Sequence, residues 1–250
     1  MNPVLEIIHN RKSTRAYQPR PVPPKVRDDI IRAAMRAPTA GNMMLYSVIE
    51  VKDQALKDQL VETCDNQPFI AQAPLVLLFL ADYQRWFDYF HHAGVEEHLL
   101  EEGQVIITPK AGDLILAACD ALIAAQTAVL AAESLGLGSC YIGDILENYE
   151  IHREMFDLPS YALPVALLCF GYPTEEERQR QQTSRFGEDY IHFVDGYRRL
   201  SVDDFEGMFG PNAVGEDSPG VRVYRRKYSA GFSIEMRRSV QAMLDGLAED

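Results

Sequence analysis

A fold mixing α-helices and β-strands is predicted by three features of the sequence. Two short apolar runs, 74–80 and 165–170, have no polar interruption, as strands buried on both faces require. Segment 111–135 is also apolar but too long for a strand. It carries Asp113, Asp120 and Glu133, which suits a buried core helix and leaves no charge-free stretch long enough to cross a bilayer. In 25–37, Ile30, Ile31, Ala34 and Met35 recur on one helical face.

In chain order, the apolar residues 4–8 lead into a basic turn, Arg11-Lys12-Ser13-Thr14-Arg15. Pro23 and Pro24 open the helix over 25–37, where a missing N–H costs nothing, and Pro38 stops it. Residues 47–52 have strand character, 54–63 a helical pattern, and 74–80 form a buried strand. Residues 83–109 combine Trp86, Phe87, Tyr89, Phe90, His91 and His92 with glutamates and read as a mobile excursion over the surface. After the core helix, Gly136 supplies a stop, and 138–143 make a turn and short strand. The strand over 165–170 ends at Gly171-Tyr172-Pro173, beyond which the chain turns charged and irregular, with a last helix over 233–247. No repeat or long linker is visible, so 1–250 reads as a single domain whose last quarter is an extension wrapped over the rest.

The 250 residues are 47% hydrophobic, enough to bury a full core, and carry a formal charge of -13. With a pI near 4.9, general affinity for nucleic acid is excluded, because phosphates demand a field of lysines and arginines. Positive charge must act locally. Cys64, Cys119, Cys140 and Cys169 are too scattered for a CxxC or metal pair and read as buried free thiols. Residues 1–8 contain Glu6 and are too short for a signal segment, so a cytoplasmic protein is expected. His91, His92 and His98 neighbour Glu96 and Glu97 without HExxH spacing, and no metal site is expected. The basic turn is the candidate anion cradle, since it supplies positive charge, hydroxyls and backbone donors together.

Four separated segments, in order, resemble the flavin-dependent nitroreductases. They are residues 11–17 (RKSTRAY), 37–42 (APTAGN), 67–70 (QPFI) with Ala73-Pro74, and 131–138 (AAESLGLG) running into Tyr141-Ile142-Gly143. Within that family the chain is similar to the oxygen-insensitive NADPH nitroreductase and NADPH-flavin oxidoreductase branch, over about residues 1–200.

The resemblance implies an α+β fold, with a central, mostly antiparallel sheet flanked by helices. It further implies an intertwined homodimer, residues 200–250 wrapping it, and one FMN per subunit at the interface. By position, Arg11, Lys12, Ser13, Thr14 and Arg15 would hold the phosphate, ribityl and pyrimidine end of FMN, with Arg15 at the N1 and O2 edge. Thr39 and Asn42 would reach the flavin across the interface, and Gln67 and Phe69 would meet its ring or ribityl chain. Tyr141, Ile142, Gly143 and Asp144 would lie along the ring near N5, and Thr183 and Arg185 would be late phosphate ligands. Arg222, Arg225 and Arg226, beside Lys227, would take the phosphate of NADPH; NADH remains the other donor.

The implied activity passes hydride from NAD(P)H through FMN N5 to a nitroaromatic, quinone or flavin acceptor in two steps, without a catalytic acid or base. Three departures stand out: Asp144 where relatives carry a second glycine, Thr183 where they carry lysine, and Met43-Met44 where many carry glutamine. They leave open a dedicated substrate, as in dehalogenation or flavin breakdown, or a flavin-binding sensor with poor turnover. His9, His152 and His192 read as structural.

Overall fold

The computed structural model describes residues 2–210 and 213–249. They fall into two compact units, one of residues up to 180 together with those from 236 on, the other of 181–235.

The first unit opens with helix α1, Pro3–Asn10, whose N-cap Asn2 accepts a hydrogen bond from the Val4 N–H. Helix α2, Pro24–Ala34, starts on the second of the two prolines and ends at Ala34, short of the expected stop at Pro38. Strand β1 is Tyr46–Glu50, α3 is Gln54–Thr63, capped by the Asp53 carboxylate, α4 is Phe69–Gln72, and β2 is Leu75–Asp82. Next come α5, Gln84–His92, α6, Val95–Glu101, and the long α7, Ala111–Ser134. Gly136, at φ 80°, ends α7 in the left-handed region and turns the chain into β3, Gly138–Ile142. Helix α8, Tyr149–Met155, β4, Ala162–Gly171, and α9, Glu175–Gln179, complete the run.

The strands form one antiparallel sheet in the order β1-β2-β4-β3. Pro164 lies within β4, where a ladder donor would be lost. It sits where the β2–β4 register shifts between Phe79 and Leu80, an irregularity that accommodates proline. Both central strands are buried on two faces. Leu75, Leu77, Phe79, Leu168 and Phe170 pack under α2 and α7, while Val76, Leu78, Leu80, Leu167 and Cys169 pack with Leu60 of α3 and Ile70 of α4.

Alanines 117, 121, 124, 125, 128 and 132 line the buried face of α7 and let it lie close on the sheet. By length and composition α7 is long and apolar enough to cross a membrane, a test that a core helix also passes, and its packing on the sheet fits the core helix expected from the sequence. Its far face is exposed and apolar, carrying Ile115, Leu116, Leu122 and Ile123. Cys119 lies on that face and is exposed, which corrects the expectation that all four thiols are buried; all four are free.

Residues 83–109, expected as a mobile excursion over the surface, are largely helical, α5 and α6 occupying most of them. The aromatics repeat at helical spacing: Trp86 Nε1 donates to the Met43 carbonyl at 2.8 Å, and Phe87 packs on Tyr161 with centroids 5.0 Å apart. His91 and His98 each meet a single glutamate, Glu96 at 3.6 Å and Glu102 at 3.5 Å.

The second unit contains α10, Val202–Phe209, closed by a Ser201–Asp204 capping box, then α11, Pro219–Val223, and a π-helical turn, Tyr224–Tyr228. The final helix α12, Gly231–Glu249, spans the boundary, so the expected extension over 200–250 is divided between the two units.

Candidate active site

Sheet geometry brings the basic turn to the edge strand. Ser13 forms a parallel bridge with Ser139 of β3, and the Thr14 N–H donates to the Ser139 carbonyl at 2.8 Å. The turn then doubles back, the Tyr17 hydroxyl donating to the Thr14 carbonyl at 2.8 Å. Gly138 makes this seat possible: a Cβ there would fall 2.2 Å from Thr14 Oγ1 and 2.7 Å from Thr14 Cβ. Thr14 is thus buried as a structural pin, while Arg11 and Ser13 are half-buried and Arg15 is exposed.

Arg11, Ser13 and Arg15 all act on Cys140, and Arg11 acts on Tyr141 as well. Burial pushes the Cys140 thiol up, opposed by the nearby Arg15 and Arg11 charges and by hydrogen bonds from Ser13 and Arg15. The Tyr141 phenol is pushed up to about 12 by burial, with Arg11 again pulling it down. Burial likewise raises the Glu133 carboxyl, which accepts from Ser139 Oγ at 3.2 Å and lies in the field of Arg11.

Lys12 is used differently from its neighbours. Its ammonium donates to the carbonyls of Arg178, at 2.7 Å, and Arg180, closing the C-terminal end of α9. Arg180 reaches back in exchange, its guanidinium donating to the Ser13 carbonyl and to Glu177 at 3.0 Å. The turn therefore acquires a third arginine that the N-terminal sequence alone does not contain.

At the end of β3, Ile142 is fully buried, so that residue offers only backbone to a ligand. Gly143 is exposed, with open space where a Cβ would project. Asp144 turns to Gln67, whose Nε2 donates to Asp144 Oδ2 at 2.6 Å and to the Cys64 carbonyl at 2.9 Å. Phe69 begins α4, half-buried against the core.

Thr39 and Asn42 lie elsewhere. The Thr39 hydroxyl donates to Asp120 of α7 and accepts from the Met44 N–H at 2.8 Å, while Asn42 is exposed in a left-handed conformation at φ 59°. Asp120 also accepts from the N–H groups of Ala40 at 3.0 Å and Leu45 at 3.2 Å. This buried carboxylate, read in the sequence only as a mark against a membrane span, anchors the whole 39–45 loop. In the second unit, Arg185 Nη1 donates to Thr183 Oγ1 at 2.9 Å, both side chains exposed. Arg222 and Arg226 line one cleft of about 320 Å³ with Pro219 and Val223; Arg225 does not line it.

The nitroreductase family model matches residues 8–172, a span that runs from the end of α1 through β4 and takes in the turn, Gln67 and the β3 edge. The chain belongs to the nitroreductase family. Among curated members it is 34% identical, over 77% of this chain and 76% of the other, to an FMN reductase (NAD(P)H) of Bacillus subtilis strain 168. It is 33% identical, over 70% of this chain and 68% of the other, to the oxygen-insensitive NADPH nitroreductase of Salmonella typhimurium strain LT2. The solved structure of NfrA2 from B. megaterium matches with a TM-score of 0.78 at 27% identity, covering 97% of this chain and 98% of that one. The nitroreductase fold thus extends past the family-model match to nearly the whole chain.

Proposed function

We propose that the chain is an oxidoreductase that holds FMN against the β3 edge and carries electrons from NAD(P)H to a small-molecule acceptor such as a nitroaromatic, a quinone or a free flavin. The donor set fits the cofactor. Phosphate brings about two negative charges at neutral pH, and arginines 11 and 15, the Ser13 hydroxyl and the nearby Arg180 are cationic and hydroxyl donors suited to it. The open space over Gly143 suits a flat ring approaching backbone, and this is the observation that carries the reading.

When bound, FMN supplies hydride chemistry at N5, receiving from NAD(P)H and passing on to the acceptor in a second step. The chain's part is positioning. Arg11, Ser13 and Arg15 fix the phosphate and pyrimidine end; Gln67 and the 141–144 backbone place the ring; Phe69 and Tyr141 supply apolar surface. No side chain is required as a general acid or base. Arg222 and Arg226 are offered to a nicotinamide dinucleotide phosphate, the shared cleft and bidentate guanidinium geometry supporting that reading.

A homodimer completes the site in this reading. Thr39 is tied to Asp120, and Arg11 acts on Glu133, 13 positions further along α7 and so about 20 Å away on its axis. That separation favours a cofactor that draws the two clusters from different chains. The exposed apolar residues of α1 (Val4, Leu5, Ile8) and of α7 supply a surface of interface composition. Family membership and four free cysteines support a cytoplasmic setting.

Protein purified with excess FMN is expected to retain yellow flavin through gel filtration and to bleach under anaerobic NADPH, regaining colour on adding a quinone. Retained colour without bleaching would leave a flavin-binding protein; failure to retain flavin would reject the reading.

A further inference from the structure

Gln67 lies in the link between α3 and α4, half-buried, and both hydrogens of its amide nitrogen are committed, one to the Cys64 carbonyl at 2.9 Å and one to Asp144 Oδ2 at 2.6 Å. A backbone carbonyl can only accept, so the Cys64 contact decides which end of the amide is nitrogen. What the side chain retains for a ligand is Oε1, which receives no hydrogen bond among the described residues.

Asp144 follows directly on Gly143, the open backbone position at the end of β3, so the Gln67–Asp144 pair borders the place assigned to the ring. A glycine at 144 would leave the amide tethered by the Cys64 carbonyl alone, free to swing about that single contact. With Asp144 in place, two acceptors on different elements hold it.

We propose that Asp144 is a positioning residue that locks the Gln67 amide so that the chain presents a carbonyl acceptor, rather than an N–H, to a donor on the bound cofactor. The inference rests on FMN being the ligand, whose ribityl hydroxyls and ring imide N–H are the donors an acceptor would select. The same bond directs the Asp144 charge into the protein framework, which lets a carboxylate occupy a position beside an electron-accepting ring.

The test is a titration of apoprotein with FMN, read by quenching of flavin fluorescence, on wild type, Asp144→Asn, Asp144→Ala, Gln67→Ala and the Gln67→Ala/Asp144→Ala double variant. Asparagine keeps an acceptor oxygen for the Gln67 amide and is expected to bind FMN within about twofold of wild type. Alanine is expected to weaken binding about fivefold, the order of one hydrogen bond. In the Gln67→Ala background the alanine change is expected to have no further effect, because its influence passes through Gln67.

Equal weakening by asparagine and alanine would overturn the proposal in favour of the charge itself. An undiminished alanine effect without Gln67 would overturn it in favour of a direct or merely structural role. If Asp144→Ala does not fold, Asp144→Leu removes the acceptor while filling the space and is read the same way. Wild-type protein that takes up no FMN would reject the cofactor assignment itself, a result distinct from wild-type binding with the wrong variant pattern.

Discussion

At Gly138 a single methyl group would collide with the segment that carries the cationic cluster. Gly138→Ala sets a Cβ against both the hydroxyl and the Cβ of buried Thr14, and the backbone bond from Thr14 to Ser139 leaves the turn little room to retreat. The expected outcome is a loss of about 1–3 kcal/mol of stability, as for other overpacked sites, seen as a lower melting temperature. FMN affinity should fall with it, because Arg11, Ser13 and Arg15 move with Thr14. Unchanged melting and unchanged FMN titration would show that the turn is not held by this contact. The cluster was legible as a run of basic and hydroxyl residues, and its neighbour across the bridge was legible as a glycine-rich strand. The division of labour within it was not. Lys12 is drawn to carbonyls 166 and 168 positions away, and the Arg180 guanidinium comes to Ser13 from the same distant segment. Such exchanges depend on where β4 delivers α9, which local sequence does not encode.

Elements that announce themselves by periodicity were readable: α3 occupies the residues its pattern marks, and the all-apolar runs became the two central strands. Elements built on short or mixed signals were missed. In α9 the Thr174 hydroxyl caps the Glu177 N–H, a signature overshadowed by the polar tract around it, and in α5 aromatic spacing was hidden among histidines and glutamates. Helix α8 contributes His152, fully buried between the turn after β3 and α3. Its ring meets the Ile145 carbonyl at 3.0 Å through Nδ1 and the Thr63 hydroxyl at 2.9 Å through Nε2. Burial pulls its pKa below the ordinary value of 6.5, the Ile145 and Glu147 backbone contacts opposing. The unfolded chain therefore binds this proton more readily than the native one. The neutral ring's contribution is complete above pH 6.5 and is lost as pH falls from there through the lower native pKa. Each pH unit within that window corresponds to at most ~1.4 kcal/mol for one proton. Denaturant melts from pH 7.5 to 5 should show this slope in wild type and a flatter profile in His152→Gln. Identical profiles would place the acid sensitivity elsewhere.

For the whole molecule, the α+β class and the antiparallel sheet were accessible from the resemblance, and the length of the structural match to NfrA2 bears them out. Which side of α7 is left uncovered was not readable from pattern, because a helix apolar all round hides which side meets the sheet and which side remains. The structure separates them: Ala117, Ala121, Ala124 and Ala128 face inward, and Ile115, Leu116, Leu122 and Ile123 face out. If a second chain covers that outer face, Ile123→Glu should bury a charge at the junction and shift the protein from dimer to monomer in sedimentation or light scattering. Far-ultraviolet circular dichroism should be nearly unchanged, since Ile123 is already 41% exposed within one chain. A dimer that survives the change would move the junction off α7.

Cys119 sits among those outward side chains, one helical turn from Ile115 and from Ile123, while the other three sulfurs are enclosed. If a second chain covers that face, Cys119 is a built-in reporter of assembly. A bulky thiol reagent applied to the folded material should modify a single sulfur per polypeptide in dilute, dissociated samples and progressively fewer as concentration rises, so that alkylation kinetics alone trace how tightly two copies embrace.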